Sequence, residues 1–249
     1  IKKRINNHTI HYGFVSTGNL NEKTATVYSD TCLLTSDRNI MADVNRIFSY
    51  LEQPKTRIHL LQQCNTLIVS PTGMRRQLLQ MINKEIKNAL LKKPASIILK
   101  LNSLSDELLI DKLYEAAKAG VELKMVIRGI FCLPTENKKF RIPIQAISIV
   151  DEYLEHSRIM IFHNGGKEKT YISSADWMVR NIDHRIEVAC PISEKNIQQE
   201  LKEILQIQLK DNIKARILDN DLSNQYVNPR NTKKIRSQVE TYNYLFRKC

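Results

Sequence analysis

The sequence predicts an α/β protein whose mixed, mainly parallel sheet is flanked by helices. From residue 66 onward, short apolar runs alternate with longer stretches whose apolar residues recur at three-and-four spacing, the strand and helix succession of a layered fold. Several of the short runs are apolar at consecutive positions, as strands covered on both faces are. Two further runs, 158–162 and 170–172, flank an Asn164-Gly165-Gly166 turn and add a hairpin, which makes the sheet mixed.

Residues 9–16 read as a strand. In SDRNIMADVNRIFSYLEQP, Ile40, Met41, Val44, Ile47, Phe48 and Leu51 fall at helical spacing, with Ser36 or Asp37 as cap and Pro54 beyond the end. The polar stretch 53–65 is the candidate boundary between a first part, 1–55, and a second, 56–249. Then follow a strand in TLIVSP, a helix in MRRQLLQMINKEIKNALL, a strand in SIILKL, a capped helix in SLSDELLIDKLYEAAKAG ending at Gly120, and a strand in VELKMVIRG. IQAISIV, the hairpin and HRIEVACPI supply more strands, residues 194–210 a helix, and 228–249 a basic helix or tail.

With 249 residues the chain is long enough for a full core. No apolar run approaches membrane-spanning length, and IKKRINNHTI lacks the apolar stretch of a signal peptide. The chain starts on Ile1 close to a strand pattern and is expected to be a piece of a longer one. Cys32, Cys64, Cys132, Cys190 and Cys249 are scattered, without zinc-ligand spacing, so reduced thiols in a cytoplasmic compartment are expected, with peripheral membrane association left open. A formal charge of +12 points to an anionic partner. Aromatics are 6 % of the chain, few for stacking bases, which disfavours nucleic acid.

In a strand, residues two apart share a face. His156 and Arg158 therefore point the same way, and the hairpin returns Ser173, Ser174 and Asp176 to their neighbourhood. A weak internal repeat adds to this: Val15-Ser16-Thr17-Gly18-Asn19-Leu20-Asn21 matches Ile172-Ser173-Ser174-Ala175-Asp176-Trp177-Met178 in kind. The histidine of the second copy lies 20 residues before Asp176. The same offset before Asn19 falls upstream of Ile1.

A His, a basic residue two on and a later hydroxyl-rich cluster resemble half of a site of the phospholipase D superfamily. STGNLNEKTATVYSD (16–30), LLTSD (33–37), VIRG (126–129), AISIVDEYLEHSRIMIF (146–162), NGGKEKTYISSADWMVRNIDHRIEV (164–188) and DNIKARILDNDLSNQYV (211–227) together resemble the C-terminal part of the bacterial polyphosphate kinase family. The resemblance implies a phospholipase D-like domain with a basic C-terminal helix or tail, preceded by the C-terminal remnant of a similar domain. It implies reversible transfer of the ATP terminal phosphate to polyphosphate through a phosphohistidine upstream of this chain, which alone is expected to be inactive. Arg158 stands where the superfamily has Lys, and Asp176 where it has Asn, which argues against phosphodiester cleavage.

His156 is then expected as the catalytic partner of the phosphohistidine, since such a site needs a group that titrates near neutrality. Arg128, at a strand end before Gly129, suits bidentate phosphate binding. Arg158, Asn19 and Lys23 are further candidate phosphate or polymer contacts, with Asn21, Arg180 and Arg185 beside them, and Tyr28 matches a family position near the nucleotide. Glu187 is expected to fix a neighbouring Arg or His, Arg75 and Arg76 to lie on a solvated helix face, and Lys233, Lys234 and Arg236 to lie on a solvated tail or line a polymer channel. His8 and His11 read as ordinary strand residues. ATP or ADP, polyphosphate and Mg2+ are the implied ligands, the ion without a recognisable carboxylate cluster, and the full-length protein is expected to be a homo-oligomer. Two other readings stand beside this one: a phospholipase D-like phosphodiesterase or nuclease, and a non-catalytic basic nucleic-acid-binding module.

Overall fold

The computed structural model describes residues 1–5, 8–228 and 233–248; the side chains of Ile5 and His8, residues 229–232 of the tail, and Cys249 lie outside the described residues. Strands β1 (Lys2–Ile5) and β2 (His8–His11) pair antiparallel, and β3 (Gly13–Ser16) pairs instead with β5 (Cys32–Thr35). The strand expected over 9–16 is thus two strands with different partners, divided at Tyr12, whose N–H bonds Ile1 O at 3.0 Å. Between β3 and β5 lie a one-turn helix α1 (Glu22–Ala25) and the short strand β4 (Tyr28–Ser29).

Helix α2 (Arg38–Glu52) begins where Asp37 Oδ1 accepts the N–H groups of Asn39 and Ile40, each at 2.9 Å, the side-chain cap that its sequence invites. Ile40, Met41 and Ile47 are buried, whereas Phe48 and Leu51, expected on the same face, are exposed. The stretch 53–65 contains helix α3 (Ile58–Gln62), whose Leu61 is buried. Buried Asp43 holds the end of this stretch, its Oδ2 accepting from the backbone of Asn65, Thr66 and Leu67 at 3.1, 2.7 and 2.9 Å.

The remainder runs β6 (Ile68–Val69), α4 (Met74–Leu90), β7 (Ser96–Leu101), α5 (Glu107–Ala119), β8 (Glu122–Ile127), β9 (Gln145–Ile149), β10 (Leu154–Glu155), β11 (Arg158–Phe162), β12 (Lys169–Ser173), α6 (Val179–Asp183), β13 (Val188–Ile192), α7 (Lys195–Leu209), β14 (Ala215–Ile217) and α8 (Ser237–Phe246). Helix α5 is capped by Asp106, whose Oδ1 accepts Leu109 N–H at 3.1 Å, and ends at Gly120 with φ +96°, a left-handed closure that glycine adopts at least cost. No helix among the described residues is long and apolar enough to cross a membrane.

One mixed eight-stranded sheet organises the fold, in the order β14-β9-β8-β7-β11-β12-β13-β6. Only β7/β8 and β8/β9 are parallel, and every other neighbouring pair is antiparallel. The mainly parallel sheet expected from strand and helix alternation is corrected here. A crossover helix separates β7 from β8, but β11 to β13 follow one another by turns and a short helix, and such returns pair antiparallel.

Both faces of the sheet are covered, and side-chain alternation assigns its residues. Ile97, Leu99, Met160 and Phe162 pack with Leu78 and Ile82 of α4 and Leu109 and Leu113 of α5. Ile98, Ile159 and Ile161, one position out of step, pack with Ile40 and Ile47 of α2, Leu61 of α3, and Leu201 and Leu205 of α7. Each such Leu or Ile, fully buried, contributes about 1.5–3 kcal/mol. Helix α2 thereby joins the N-terminal segment to the main sheet, and this contact brings β4 against β10.

Candidate functional site

The paired strands β4 and β10 run parallel, with Leu154 opposite Tyr28 and Glu155 opposite Ser29. Beyond them the chain turns, both His156 N–H and Ser157 N–H pointing at Ser29 O at 3.2 and 3.0 Å. His156 therefore sits in the link between β10 and β11, not in the strand itself, and it faces the N-terminal segment. Its Nδ1 lies 3.0 Å from each oxygen of the Asp30 carboxylate. An ionised carboxylate only accepts, so the ring proton belongs on Nδ1, and Nε2 keeps its lone pair in the neutral imidazole.

Asp30 is itself held. Thr17 Oγ1 donates to Oδ1 at 2.7 Å, and a Cβ placed on Gly18 would stand 2.0 Å from Oδ2, so only glycine leaves room for the carboxylate there. Desolvation raises the tendency of Asp30 to bind a proton, but hydrogen bonds from His156 and Thr17 and the charges of His156 and Arg158 outweigh it. The carboxyl is held below its ordinary value. The Tyr28 ring completes this side, its centroid 4.7 Å from that of His156 at an interplanar angle of 54°.

Arg158, expected among the phosphate contacts, is 7 % exposed and spends its guanidinium inside the protein. Nη1 donates to Thr17 O at 2.8 Å and His156 O at 2.9 Å, Nη2 to Asp176 Oδ2 at 3.0 Å and Nε to Asp176 Oδ1 at 3.4 Å. Nη1 is also 3.3 Å from both ring nitrogens of His156, a position over the ring face. Asp176 is satisfied in turn by the N–H groups of Asn102 and Ser103 at 2.7 and 3.0 Å. The geometry makes Arg158 a brace that ties the two parts of the chain together under His156.

Arg128 follows the last residue of β8, and Asn102 the last residue of β7, so the carboxyl ends of two parallel strands open on the site. Arg128 Nε donates to Glu155 O at 3.0 Å and, with Nη2, to Asn102 Oδ1 at 3.2 and 3.1 Å. Its Nη1 has no hydrogen-bond partner among the described residues. Asn102 also turns its Nδ2 to His156 O at 3.4 Å. One amide thus links the arginine to the histidine.

The other expected residues fall elsewhere. Asn19 and Lys23 are exposed on the loop and short helix after β3, with no side-chain hydrogen bond to the His156 group. Asn21 is the N-cap of α1, its Oδ1 accepting Lys23 and Thr24 N–H at 3.0 and 3.3 Å. Arg180 and Arg185 are exposed near α6. Arg75 is not on a solvated face but pairs with Asp106 and Asp183, and Arg236 grips Asp151, Nη2 to Oδ1 at 2.7 Å and Nε to Oδ2 at 2.9 Å. Glu187 fixes neither Arg nor His among the described residues: it accepts from Ser174 Oγ and from Asn181 Nδ2, the latter at 2.8 Å.

That contact shows the weak repeat to be structural. Thr17 N–H bonds Thr31 O at 3.0 Å, as Ser174 N–H bonds Val188 O at 3.0 Å. The Thr17 hydroxyl reaches the acid 13 residues on and receives the backbone N–H 14 residues on, and the Ser174 hydroxyl does the same with Glu187 and Val188. Asp30 is the residue that sequence reasoning missed. The repeated spacing from hydroxyl to acid was the signal for it.

No group of three or more His, Cys, Asp or Glu side chains among the described residues is placed to hold a metal ion. The carboxylates nearest His156 are committed, Asp30 to His156 and Thr17, Asp176 to Arg158, and Glu155 to Lys100, Gln208 and Gln238. These residues do not fit a magnesium site of their own.

A duplicated strand, hydroxyl and acid motif with a histidine and an arginine across the junction defines a two-part α/β protein. The comparisons place it more closely. Polyphosphate kinase C-terminal domain 1 matches residues 1–57, and polyphosphate kinase C-terminal domain 2 matches residues 67–238. This chain belongs to the polyphosphate kinase family. It is 44 % identical over 245 residues to the polyphosphate kinase of Escherichia coli K12, and 43 % identical over 245 residues to that of Vibrio cholerae, in each case over 98 % of this chain. The crystal structure of polyphosphate kinase from Porphyromonas gingivalis superposes on 99 % of this chain with a TM-score of 0.89 at 41 % identity. The chain spans only about a third of these proteins, 35 % of the E. coli enzyme, 34 % of that of V. cholerae and 37 % of the P. gingivalis chain.

Proposed function

We propose that this chain is the C-terminal catalytic part of an ATP:polyphosphate phosphotransferase, which moves the terminal phosphate of ATP reversibly onto a polyphosphate chain. The observation that carries the reading is the His156–Asp30 contact at 3.0 Å, made between the two regions that match separate polyphosphate kinase domains. Family membership sets this ahead of a phosphodiesterase or a nucleic-acid-binding module.

Phosphoryl transfer requires in-line positioning and neutralisation of charge spread over the phosphoryl oxygens. Arg128 presents its Nη1, which has no partner among the described residues, to that charge, with Nε and Nη2 anchored to hold the guanidinium plane. Tyr28 offers its ring to the nucleotide, and exposed Asn19 and Lys23 contact the polymer. His156 exchanges a proton through Nε2 with the phosphate oxygen that gains or loses one, while Asp30 stabilises the imidazolium from Nδ1.

The nucleophile in this reading is a histidine of the longer protein. It attacks the γ-phosphorus, the bond to the ADP oxygen breaks, and the polymer end then takes the phosphoryl group from the histidine nitrogen. By the repeat, Glu187 stands to that histidine as Asp30 stands to His156. Magnesium would arrive on the nucleotide phosphates, and no step here depends on its position.

The test uses the full-length enzyme and γ-labelled ATP. His156→Ala is expected to lower polymer synthesis by roughly 10²- to 10⁴-fold, the range for a general acid–base group. Near-normal turnover would remove the role given to His156. Acid-labile, base-stable label is expected on the full-length protein and not on this chain alone. Label on the chain alone would overturn the external nucleophile.

A further inference from the structure

Strand β10, which carries the chain into His156, has two edges. One pairs with β4, Leu154 N–H bonding Val27 O at 2.8 Å and His156 N–H bonding Ser29 O at 3.2 Å. Along the other edge, where Tyr153 and Glu155 turn their peptide groups, no strand lies among the described residues. A side-chain amide takes its place. Gln238, in the first turn of α8, accepts Tyr153 N–H on Oε1 at 3.0 Å and donates from Nε2 to Tyr153 O at 2.7 Å. A carboxamide carries the same donor and acceptor as a peptide unit, so Gln238 pairs with Tyr153 as a neighbouring strand would.

The same Nε2 reaches the Glu155 carboxylate, Oε1 at 2.9 Å. Glu155 is buried, and its other oxygen accepts from Lys100 and from Gln208, the latter at 2.9 Å. Glu155 O in turn receives Arg128 Nε. Two side chains therefore hold the free edge of β10, one on each residue that precedes His156 on that edge. Helix α8 is fixed at its start by Arg236 on Asp151 and by Ser237 N–H on Asp211 Oδ2 at 2.7 Å.

We propose that Gln238 is a positioning residue for His156, acting through Tyr153 and Glu155 to set the imidazole against Asp30. The proposal rests on the role given to His156 above. Without the amide, Tyr153 loses both peptide partners and Glu155 the only donor to its Oε1 among the described residues. The link to His156 then gains freedom, and the ring leaves its register with Asp30, Arg158 and Tyr28, the groups that face it. The C-terminal helix thereby becomes part of the active machinery although none of its atoms meets the reacting group.

The decisive variant is Gln238→Met in the full-length enzyme, which keeps the length of the side chain and removes both hydrogen-bonding groups. Expected is a fall in kcat of roughly ten- to hundredfold, the cost of a small misplacement near the chemistry. KM for ATP should stay within about threefold, because Arg128 keeps its Asn102 anchor. The pH profile of kcat should shift on the limb that reports His156. Tyr242→Ala, on the exposed face of the same helix, should leave turnover unchanged. Wild-type turnover in Gln238→Met, or a loss of kcat that follows thermal stability with the pH profile unmoved, would overturn the proposal. His156→Ala measured beside it keeps the two readings apart: normal turnover there removes the histidine's role, whereas an inactive His156→Ala with a normal Gln238→Met overturns the positioning role alone.

Discussion

The two copies of the hydroxyl and acid motif share backbone pairing and spacing, but they end differently. In the first, the acid is Asp30, pressed against Gly18 and turned onto a histidine of the other region. In the second, the acid is Glu187, one methylene longer, Ala175 takes the place of Gly18 in the repeat, and the acid turns onto Asn181 of its own region. The first copy binds across the junction and the second binds locally. A duplicated framework has kept its hydrogen bonds while its two acids point at different partners.

The comparison breaks most sharply at Asp30. Asn is nearly isosteric, but its amide can present a donor to Nδ1 and so favours the wrong tautomer of His156. Asp30→Asn in the full-length enzyme is expected to lower kcat by about 10²- to 10⁴-fold with the fold retained. Glu187→Gln measured in parallel sharpens the contrast. With Glu187 placed against the nucleophilic histidine as proposed above, turnover is expected to fall on the scale of Asp30→Asn; a loss of stability alone, about 1–3 kcal/mol from the contacts to Ser174 and Asn181, would remove that pairing.

A smaller effect separates Gly18 from Ala175. Gly18→Ala drives a methyl group to 2.0 Å from the Asp30 carboxylate, which must swing away from His156. The expected result is roughly a tenfold loss of kcat and a destabilisation of about 1–3 kcal/mol, read by activity and thermal unfolding. Ala175→Gly removes one buried methyl and should cost about 1 kcal/mol with turnover kept. Equal effects at the two positions would show that the glycine serves only the local turn.

How much of this was legible in the sequence follows from how local each feature is. Helix α2 with its Asp37 cap, helix α5 with Gly120, and the β11–β12 hairpin, Arg158 opposite Ser173, depend on neighbouring residues and were readable. The mainly parallel sheet was misjudged because pairing depends on which strand lies beside which, and apolar runs do not state their partners. His156 and Arg128 were found as residue types near strand ends. Asp30 was not, since its partner lies 126 residues on, in a region that meets it through contacts distant in sequence: the packing of α2, the β4–β10 pairing and the Arg158 bond to Thr17 O. Arg158 was read as a phosphate ligand for the same reason. A guanidinium in a sequence shows its charge, whereas the carbonyl of Thr17 and the carboxylate of Asp176 that consume it emerge only in the fold.

The least of the expected effects is on stability against acid, and it tests whether the first copy is electrostatically joined across the junction. The Asp30 carboxyl, depressed in the folded protein, binds a proton more readily once the chain unfolds. Its contribution to stability is therefore whole above the ordinary carboxyl value of 3.8 and is lost as pH falls through the lower folded value. Asp30→Asn has no proton to gain at this position. Between pH 5 and pH 3, values chosen to bracket roughly that transition, the melting temperature of the wild type should fall more than that of Asp30→Asn. The other depressed carboxyls, Asp151, Glu203, Asp211 and Asp219, titrate in both proteins and cancel in the difference. A parallel fall in the two proteins would mean that the carboxylate is no better solvated by His156 and Thr17 than by water, and the junction would then be held by Arg158 and the apolar face of α2.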